Sequence, residues 1–417
     1  MNARDDSLII GGGLAGLFAA LRLAREGQRV RLLEASRHFG GRAWTRFEAG
    51  LAFNLGPHAL YRRGAARREL SAEGILIDGV PAPVHGARAW YQQRGFALPA
   101  GPVSLLATGL LSARGKLELA KVLASLDRIE PSAWVGQPVQ TWIEASAQDL
   151  VARQLLQAFV RLSTYAHAPR ALDAGSTLAQ LKGAAGGVLY LHGGWGALVT
   201  RLVEAAREAG AQLDLGIAAR SLRTQGAGFE VGSEAGTYEA STVILAVSPR
   251  RAAELSPRPT DPKPGVIARA ACLDVGLKTL PHPRRTFALG VDTPWYASVH
   301  SSVARLGEGQ VVHVARYLEP GESPPSRAVM EATLERLQPG FRDHLLSAAY
   351  HPRMIVSHGL PSAEQGGVRP SPEVPEIRGL FLAGDWVGQE GMLADAAIAS
   401  ASAASSSILA RWGARGA

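Results

Sequence analysis

Three glycines near the start of the chain stand at a spacing that suits phosphate binding. Gly11, Gly13 and Gly16 follow a short apolar run and precede leucines at helical spacing, so they lie where a strand turns into a helix. The first glycine permits the tight turn, the second lets backbone approach a pyrophosphate, and the third lets helix pack on strand. The phosphates would lie on amides of the helix N-terminus, which starts near Leu14 and Ala15. A simple glycine turn is the alternative.

A second strand with an acidic end follows this helix. Residues 29–33, Arg-Val-Arg-Leu-Leu, predict a strand, and Glu34 ends it. A carboxylate at this place accepts both ribose hydroxyls of an adenosine and would repel a 2′-phosphate. The alternative is an exposed carboxylate at a strand end, but the order of strand, glycine turn, helix and strand favours a dinucleotide site.

Length and composition indicate a globular protein of more than one domain. The chain has 417 residues, of which 47% are hydrophobic and 19% charged, with a net charge of +8; two domains are expected. The densest basic cluster comprises Arg62, Arg63, Arg67 and Arg68. It predicts a solvated helix face and leaves peripheral contact with a membrane surface or an anionic substrate open. Without a basic stripe interleaved with aromatic residues, nucleic acid is not an expected partner.

The single cysteine limits the disulfides and metal sites that the chain can form, and the N-terminal residues indicate its cellular compartment. Cys272 excludes an internal disulfide and a multi-cysteine metal site, and its surroundings predict a buried strand residue. No export signal is evident, so a cytoplasmic protein is expected. The apolar run nearest to a membrane span, residues 102–111, is shorter than the roughly 20 residues required. It predicts a core helix or the lip of an apolar channel.

The middle and the last third of the chain differ in their patterns. Helical periodicity covers residues 113–126, 141–146 and 150–162, while residues 266–275, 286–291, 295–302 and 310–317 alternate as antiparallel strands do. The proline-rich residues 257–264 predict a linker. Neither His192 nor any other residue has a partner in the sequence that would define a catalytic acid or base, so the catalytic residues are left unknown and no metal site is predicted.

A second strand-turn-helix pattern appears near the C-terminus. An apolar strand ends in Gly384-Asp385, and a helix of small residues begins after Gly391. A carboxylate there can accept hydroxyls of a sugar or ribityl chain. The positive end of the helix can stabilise a negative charge that develops on a bound ring.

Taken together, these segments resemble the superfamily of flavin-containing amine oxidases and phytoene desaturases. The resemblance rests on the glycine turn, on Glu34-Ala35 followed by Gly40-Gly41-Arg42, and on Gly384-Asp385. The residues of the C-terminal segment resemble those of the phytoene desaturase-like branch more than those of the monoamine oxidases. The resemblance implies non-covalent FAD. It also implies the following cofactor-binding residues: Gly11, Gly13, Leu14, Ala15, Gly16, Glu34, Ala35, Gly41, Arg42, Gly56, Pro57, His58, Ala219, Gly384, Asp385, Met392, Leu393 and Ala394.

The same resemblance implies an α/β fold with a Rossmann-like FAD-binding domain of the glutathione reductase type. This domain would be discontinuous and comprise residues 1–63, 188–256 and 373–417. An inserted α+β substrate domain with an antiparallel sheet would comprise residues 64–187 and 257–372. His58 would be the histidine nearest to the flavin ring.

The implied activity is a two-electron oxidation by FAD. Hydride abstraction from a largely apolar small molecule, giving a C–C double bond, is the leading hypothesis, with reoxidation by oxygen or a quinone-like acceptor. The second hypothesis is oxidation of an amine to an imine with release of peroxide. The third is a non-redox isomerase or binding protein with structural FAD. The sequence does not indicate the substrate, the electron acceptor or the oligomeric state.

Overall fold

The computed structural model describes residues 4–83, 86–258, 263 and 265–416. The strands are β1 (Asp5–Ile10), β2 (Val30–Glu34), β3 (Thr45–Glu48), β4 (Leu51–Asn54), β5 (Leu60–Tyr61), β6 (Gly79–Pro81), β7 (Arg88–Tyr91), β8 (Arg94–Ala97), β9 (Val188–Leu191), β10 (Gln212–Leu215), β11 (Ala219–Gln225), β12 (Gly228–Ser233), β13 (Gly236–Leu245), β14 (Val266–Leu277), β15 (Phe287–Gly290), β16 (Trp295–Val299), β17 (Gln310–Leu318), β18 (Leu345–Leu360) and β19 (Leu380–Leu382). The helices are α1 (Leu14–Arg25), α2 (Ala65–Ala72), α3 (Pro102–Ala107), α4 (Ala113–Ser125), α5 (Val139–Ser146), α6 (Leu150–Thr164), α7 (Ala174–Ala185), α8 (Trp195–Glu208), α9 (Pro249–Leu255), α10 (Arg327–Leu337) and α11 (Leu393–Gly416).

The first large sheet carries the glycine turn at its centre. Its order is β10-β2-β1-β13-β12-β11, with β19 also paired to β13. Strands β10, β2, β1, β13 and β19 run parallel, whereas β11 and β12 are antiparallel. Strand β1 forms because Leu8, Ile9 and Ile10 are buried on both faces of the sheet, as central parallel strands require. This half has the predicted Rossmann-like fold.

Helices α1, α8 and α11 cover one face of this sheet. Alanines allow α1 and α11 to lie side by side, with Ala20 of α1 and Ala401 and Ala404 of α11 fully buried in one core. Helix α2 belongs to the same core through Ala66 and Leu70. The division into domains stays a prediction, but α2, assigned from the sequence to the substrate domain, packs with the cofactor half.

The second large sheet has the order β18-β14-β17-β16-β15-β7-β8. Its pairs are antiparallel, as expected, except that β15 and β7 are parallel. Strands β7 and β8 come from the first inserted segment and the others from the second, so the two segments build one sheet. Residues 295–302, predicted as strand throughout, end in a 3₁₀ turn at His300–Ser302. Of the predicted linker 257–264, residues 259–262 and 264 lie outside the described residues.

Strand β18 is the principal element that the sequence pattern does not reveal. It pairs with β14 over most of its length. Pro352 and Arg353 interrupt its apolar alternation, and proline is unusual inside a strand. Because β18 is an edge strand of the sheet, a residue without an amide proton is tolerated there.

Helix α11 is the candidate for a membrane span among the described helices. Its residues 393–412 have a mean hydropathy of 1.3, and half of that window is buried. The expectation that no apolar run reaches such a length is therefore wrong for this helix. Its buried alanines pack on α1 in the first core, as those of a core helix do.

Candidate active site and cofactor cleft

The turn between β1 and α1 requires glycine at two positions. Gly11 has a φ of +111°, and a Cβ on it would lie 2.4 Å from the carbonyl oxygen of Ala246. A Cβ on Gly16 would lie 1.9 Å from the carbonyl oxygen of Gly11. Around Gly13, by contrast, the nearest atom to such a Cβ is the Gly40 carbonyl oxygen at 4.0 Å. Gly11 and Gly16 therefore close the turn, while Gly13 leaves open space where a phosphate can approach the backbone.

The N-terminus of α1 is built to receive an anion. Gly13 is the N-cap residue, no side chain caps the helix, and its first turn carries no acidic residue. Leu14 and Ala15, the first helical residues, line the same cavity as Gly13. Free amides and the positive end of the helix dipole together favour negative charge at this position.

Glu34 faces the cavity from the end of β2. Its Oε2 accepts a hydrogen bond from the Gly12 amide (2.6 Å) and its Oε1 accepts one from the Ser36 amide (2.7 Å). These two bonds orient the carboxylate, and each oxygen retains a lone pair for a further donor. The arrangement is suited to the predicted contact with ribose hydroxyls.

Arg42 and Asp385 form an ion pair across the cavity. Arg42 Nη1 lies 2.8 Å from Asp385 Oδ2 and Nη2 lies 2.7 Å from Oδ1. Arg42 Nη1 also donates to the Val356 carbonyl (2.6 Å), and the His358 amide donates to Asp385 Oδ2 (3.0 Å). The Asp385 side chain is 2% exposed, whereas 39% of the Arg42 side chain is exposed. The pair therefore presents its cationic side to the cavity.

The two charges stabilise each other strongly. Burial raises the pKa of Asp385, but the Arg42 guanidinium and the His358 side chain outweigh it and hold the pKa well below its usual range. Burial lowers the pKa of Arg42, and Asp385 outweighs this as well, so that the net shift is upward. The predicted contact of Asp385 with sugar or ribityl hydroxyls and the predicted role of Arg42 as a cofactor-binding residue stay predictions. The structure adds that the two side chains form an ion pair with each other.

The start of α11 lies against the same cavity. Leu393 has a φ of +57°, and Leu393 and Ala394 both line the cavity. Met392 was expected to contact the ring as well. It is 1% exposed and packs in the second hydrophobic core, which also contains the cavity-lining residues Ala270 and Cys272. Its contact with the cofactor stays a prediction.

Arg369 fixes the loop between Asp385 and α11. This buried guanidinium donates to the backbone carbonyls of Gly388 (2.7 Å), Asp385 (3.1 Å) and Gly391 (2.8 Å). Burial lowers its pKa to about 10. Because loop carbonyls satisfy it, Arg369 sets the position of the loop that carries Asp385 into the site.

The second sheet supplies the floor of the cavity. Ala270 and Cys272 of β14, Ala315 of β17 and Met354 of β18 line it. Alternate residues of a strand share one face, so Ala270 and Cys272 point to the same side. This floor is made of small or flexible apolar side chains.

Tyrosines adjoin one end of this floor. Tyr165, from the end of α6, lines the cavity, and its hydroxyl lies 3.0 Å from the hydroxyl of Tyr296. The rings of Tyr296 and Tyr317 are stacked with centroids 5.8 Å apart. Burial raises the pKa of all three phenols, so they are neutral and act as aromatic walls with hydrogen-bonding tips.

The cleft is a single cavity of about 430 Å³ that joins the glycine turn to the tyrosines. Most of the predicted cofactor residues line it: Gly11, Gly13, Leu14, Ala15, Glu34, Gly41, Arg42, Pro57, His58, Gly384, Asp385, Leu393 and Ala394. The others are not part of its lining: Gly16, Ala35, Gly56, Ala219 and Met392. Gly16 and Gly56 act through backbone packing, whereas the Ala219 carbonyl accepts a hydrogen bond from Arg251 (2.6 Å).

The residues present fit a dinucleotide. An open N-cap glycine, uncapped helical amides, an oriented carboxylate and a half-exposed guanidinium lie in one cleft. Among the described residues, no group of three or more His, Cys, Asp or Glu side chains could hold a metal ion.

These features define the chain as a dinucleotide-binding protein whose cleft lies between a Rossmann-like sheet and an antiparallel sheet. The model of the flavin-containing amine oxidoreductases matches residues 14–275. The chain belongs to this family of flavin-containing oxidoreductases, and its cofactor is FAD.

The individual relatives described below either share low sequence identity with the chain or match only a short part of it. A putative flavin-containing monoamine oxidase of Mycobacterium tuberculosis is 27% identical over 280 residues, which are 60% of this chain and 59% of that protein. The 4,4'-diaponeurosporene oxygenase of Staphylococcus aureus is 43% identical over 53 residues, 13% of this chain and 11% of the oxygenase. The chain thus spans less than two thirds of either relative. The structure of putrescine oxidase bound to putrescine shares the fold with a TM-score of 0.72 and 16% identity, covering 98% of this chain and 99% of that chain.

Several cavity residues have no signal in the sequence. Tyr165, Arg251, Cys272, Met354 and His358 line the cleft but lie in segments with no motif. Cys272 was expected to be a buried strand residue; it is buried, and it also faces the cavity. The alternation of β14 could have indicated this face, but not which sheet face meets the cofactor half.

Proposed function

We propose that the chain removes a hydride and a proton from neighbouring carbons of a largely apolar small molecule and so forms a C–C double bond. Bound FAD supplies the hydride acceptor, N5 of its ring, and is reoxidised by oxygen or a quinone-like acceptor. The protein supplies the binding surface, the exclusion of water and the place to which the proton goes.

The observation that carries this proposal is the floor of the cavity. Ala270, Cys272, Ala315 and Met354 offer a substrate apolar contact. The phenols beside them are neutral. An apolar chain or ring gains about 25 cal/mol for each Å² of surface that such a floor removes from water. The diaponeurosporene oxygenase relative is named for a substrate that also fits this proposal.

His58 offers an acceptor for the proton. It lines the cavity, and its Nδ1 lies 3.1 Å from the Gly56 carbonyl oxygen. A carbonyl only accepts, so Nδ1 carries the hydrogen and Nε2 keeps a lone pair. Burial lowers the pKa of His58 to about 4, so that the ring is neutral at pH 7 and able to receive a proton transiently.

Oxidation of an amine to an imine is the second candidate. It draws support from the tyrosines around Tyr165 and from the mycobacterial relative that is named a monoamine oxidase. Aromatic faces attract an ammonium group, and the same cavity would then hold an amine with a short apolar body.

One anaerobic experiment tests both candidates. The FAD-loaded protein is mixed without oxygen with linear polyenes and their saturated precursors, and separately with primary and secondary amines, while absorbance of the oxidised flavin is followed. Bleaching by a saturated precursor, with the desaturated product found by mass spectrometry, is expected. Bleaching by amines alone would refute desaturation and favour amine oxidation. A substrate that is converted without bleaching would point to a non-redox isomerase.

A further inference from the structure

The hydroxyl groups at the tyrosine end of the cavity are not all satisfied within the protein. The centroid of the Tyr165 ring lies 6.0 Å from that of Tyr296 and 6.2 Å from that of Tyr317. The Tyr165 and Tyr296 hydroxyls are 3.0 Å apart, and in such a pair one O–H donates to the other oxygen. The Tyr317 hydroxyl is fully buried and has no hydrogen-bond partner among the described residues. One O–H of the pair and the Tyr317 O–H are therefore left without an acceptor in that part of the chain.

Cross-strand register places these rings beside the apolar floor. Tyr317 lies two residues after Ala315 on β17, so both side chains share one face of the sheet. Tyr296 of β16 is paired with Ala315, and Tyr317 is paired with Ala270 of β14. Ala270 and Ala315 line the cavity, and so does Tyr165. The hydroxyls without an acceptor therefore belong to rings that border the floor of the cavity.

The direction of the hydrogen bond between Tyr165 and Tyr296 follows from burial. Tyr296 is 2% exposed and is not part of the cavity lining. If Tyr165 donated, the O–H of Tyr296 would be buried without an acceptor, which costs free energy. If Tyr296 donates instead, the free O–H belongs to Tyr165, which lines the cavity. The second arrangement is favoured, so that Tyr296 orients Tyr165 as a donor toward the cavity.

A buried cation lies one helical turn before Tyr165. The Tyr165 amide donates to the Arg161 carbonyl (2.8 Å), and Arg161 is 3% exposed. Arg161 Nη2 donates to the carbonyls of Gly290 (3.0 Å) and Val291 (3.1 Å), whereas its Nε has no partner among the described residues. Burial lowers the pKa of Arg161 to about 10, so the side chain stays cationic at pH 7. A positive charge here favours an electron-rich oxygen over an ammonium group as the neighbour of these tyrosines.

We propose that the Tyr165 hydroxyl, oriented by Tyr296, donates a hydrogen bond to an oxygen of the substrate, which is thus an apolar chain or ring that carries a carbonyl or carboxylate group. The Tyr317 hydroxyl offers a second donor at the same end of the cavity. The inference rests on the proposed function, because it assigns the substrate class of that site. An ammonium group has no lone pair with which to accept these donors.

The test is calorimetric titration of oxidised, FAD-loaded protein, without oxygen, with four probes of similar size. Acetophenone and benzoate carry an acceptor oxygen, ethylbenzene has the same apolar body without one, and benzylamine carries an ammonium group. At least one oxygen-bearing probe is expected to bind about tenfold more tightly than ethylbenzene. Preference for acetophenone would identify a neutral carbonyl, and preference for benzoate would identify a carboxylate.

Tyrosine-to-phenylalanine variants separate a binding role from a structural one. Tyr165→Phe is expected to reduce the preference to less than about threefold, and Tyr296→Phe should reduce it in part, because Tyr165 is then no longer oriented. Tyr61→Phe is the matched control, since the Tyr61 hydroxyl donates to the Ser163 carbonyl (2.8 Å) and is not part of the cavity lining. It should keep the wild-type preference. A purely structural effect would weaken the binding of all four probes equally.

The proposal is overturned if ethylbenzene binds as tightly as both oxygen-bearing probes, or if neither of those two binds. Tighter binding of benzylamine than of either would overturn it as well, and so would a wild-type preference in Tyr165→Phe. Should Tyr165→Phe fail to bind FAD, the comparison of Tyr296→Phe with Tyr61→Phe decides. The titration measures binding without turnover, so a failure here is distinct from a failure of the proposed desaturation, which is judged by bleaching of the flavin.

Discussion

Substitution of either partner in the Arg42–Asp385 ion pair should destabilise the folded protein, but the two substitutions should differ in their cost. Arg42→Met would leave a carboxylate that is 2% exposed without its cation, whereas Asp385→Asn would leave a guanidinium that is 39% exposed and can turn to water. Removing one partner of a buried pair costs about 3–5 kcal/mol. Because Arg42 is partly solvated, we expect about 3 kcal/mol for Arg42→Met and about 1 kcal/mol for Asp385→Asn.

The assay is urea unfolding of the FAD-free protein at pH 7.5, with Arg29→Met as the matched control. Arg29 pairs with Asp6 at 3.6 Å, with 59% of its side chain exposed, and its removal should cost less than about 1 kcal/mol. A cost for Asp385→Asn equal to or above that of Arg42→Met would refute the reasoning.

The pH dependence provides a second check on the same pair. The folded-state pKa of Asp385 lies below its unfolded value. The stability from the pair is therefore present above the unfolded pKa of about 3.9 and is lost as pH falls through the lower, folded value. The difference between wild type and Arg42→Met should accordingly shrink as the pH falls below about 4. A difference that stays constant down to pH 3 would contradict this origin.

Three further predictions concern the glycine turn, α11 and its preceding loop. Gly16→Ala should abolish folding or lower the Tm strongly, because its Cβ would lie 1.9 Å from the Gly11 carbonyl oxygen. Gly13→Ala, by contrast, should keep the Tm and weaken FAD binding, as measured by flavin fluorescence. Burial raises the pKa of Asp395 to about 6, so stability should fall as pH rises from about 4 through 6, and Asp395→Asn should flatten that slope in urea titrations, by about 3 kcal/mol at most. Arg369→Met should reduce FAD affinity at least about tenfold, because it leaves four loop carbonyls, those of Asp385, Gly388, Glu390 and Gly391, without their donor. Unchanged affinity would show that the loop keeps its position without Arg369.

The sequence predicted the parts of the site that are local. The glycine turn and Glu34 are recognisable because strand, turn and helix succeed one another within a short stretch, and the geometry of each follows from its neighbours. Arg42 and Asp385 were both identified as cofactor residues. Their mutual ion pair was not, because it joins positions 343 residues apart and no local pattern encodes that distance.

The cavity floor was beyond sequence reasoning for a different reason. Ala270 and Ala315 carry no chemistry that a pattern could reveal, and their role arises because opposed strands place small residues beneath the ring end. Pro352 interrupts the strand pattern of β18, so this strand was not predicted from the sequence. The places of Met354 and His351 on it were therefore not predicted either. The contact between Asp274 of β14 and His313 of β17 likewise depends on cross-strand register, which places the two residues opposite each other.

The Arg42–Asp385 contact also has a consequence for synthesis, because its two residues leave the ribosome at very different times. During synthesis the glycine turn and Arg42 emerge early, but the strand β19 and Asp385 that complete the cleft emerge only with the last part of the chain. Closing so long a loop costs conformational entropy. The ion pair, together with a cofactor that contacts both segments, would offset this cost. We therefore expect nascent chains to capture FAD only after residue 385 has left the ribosome, so that cofactor loading reports on a finished polypeptide.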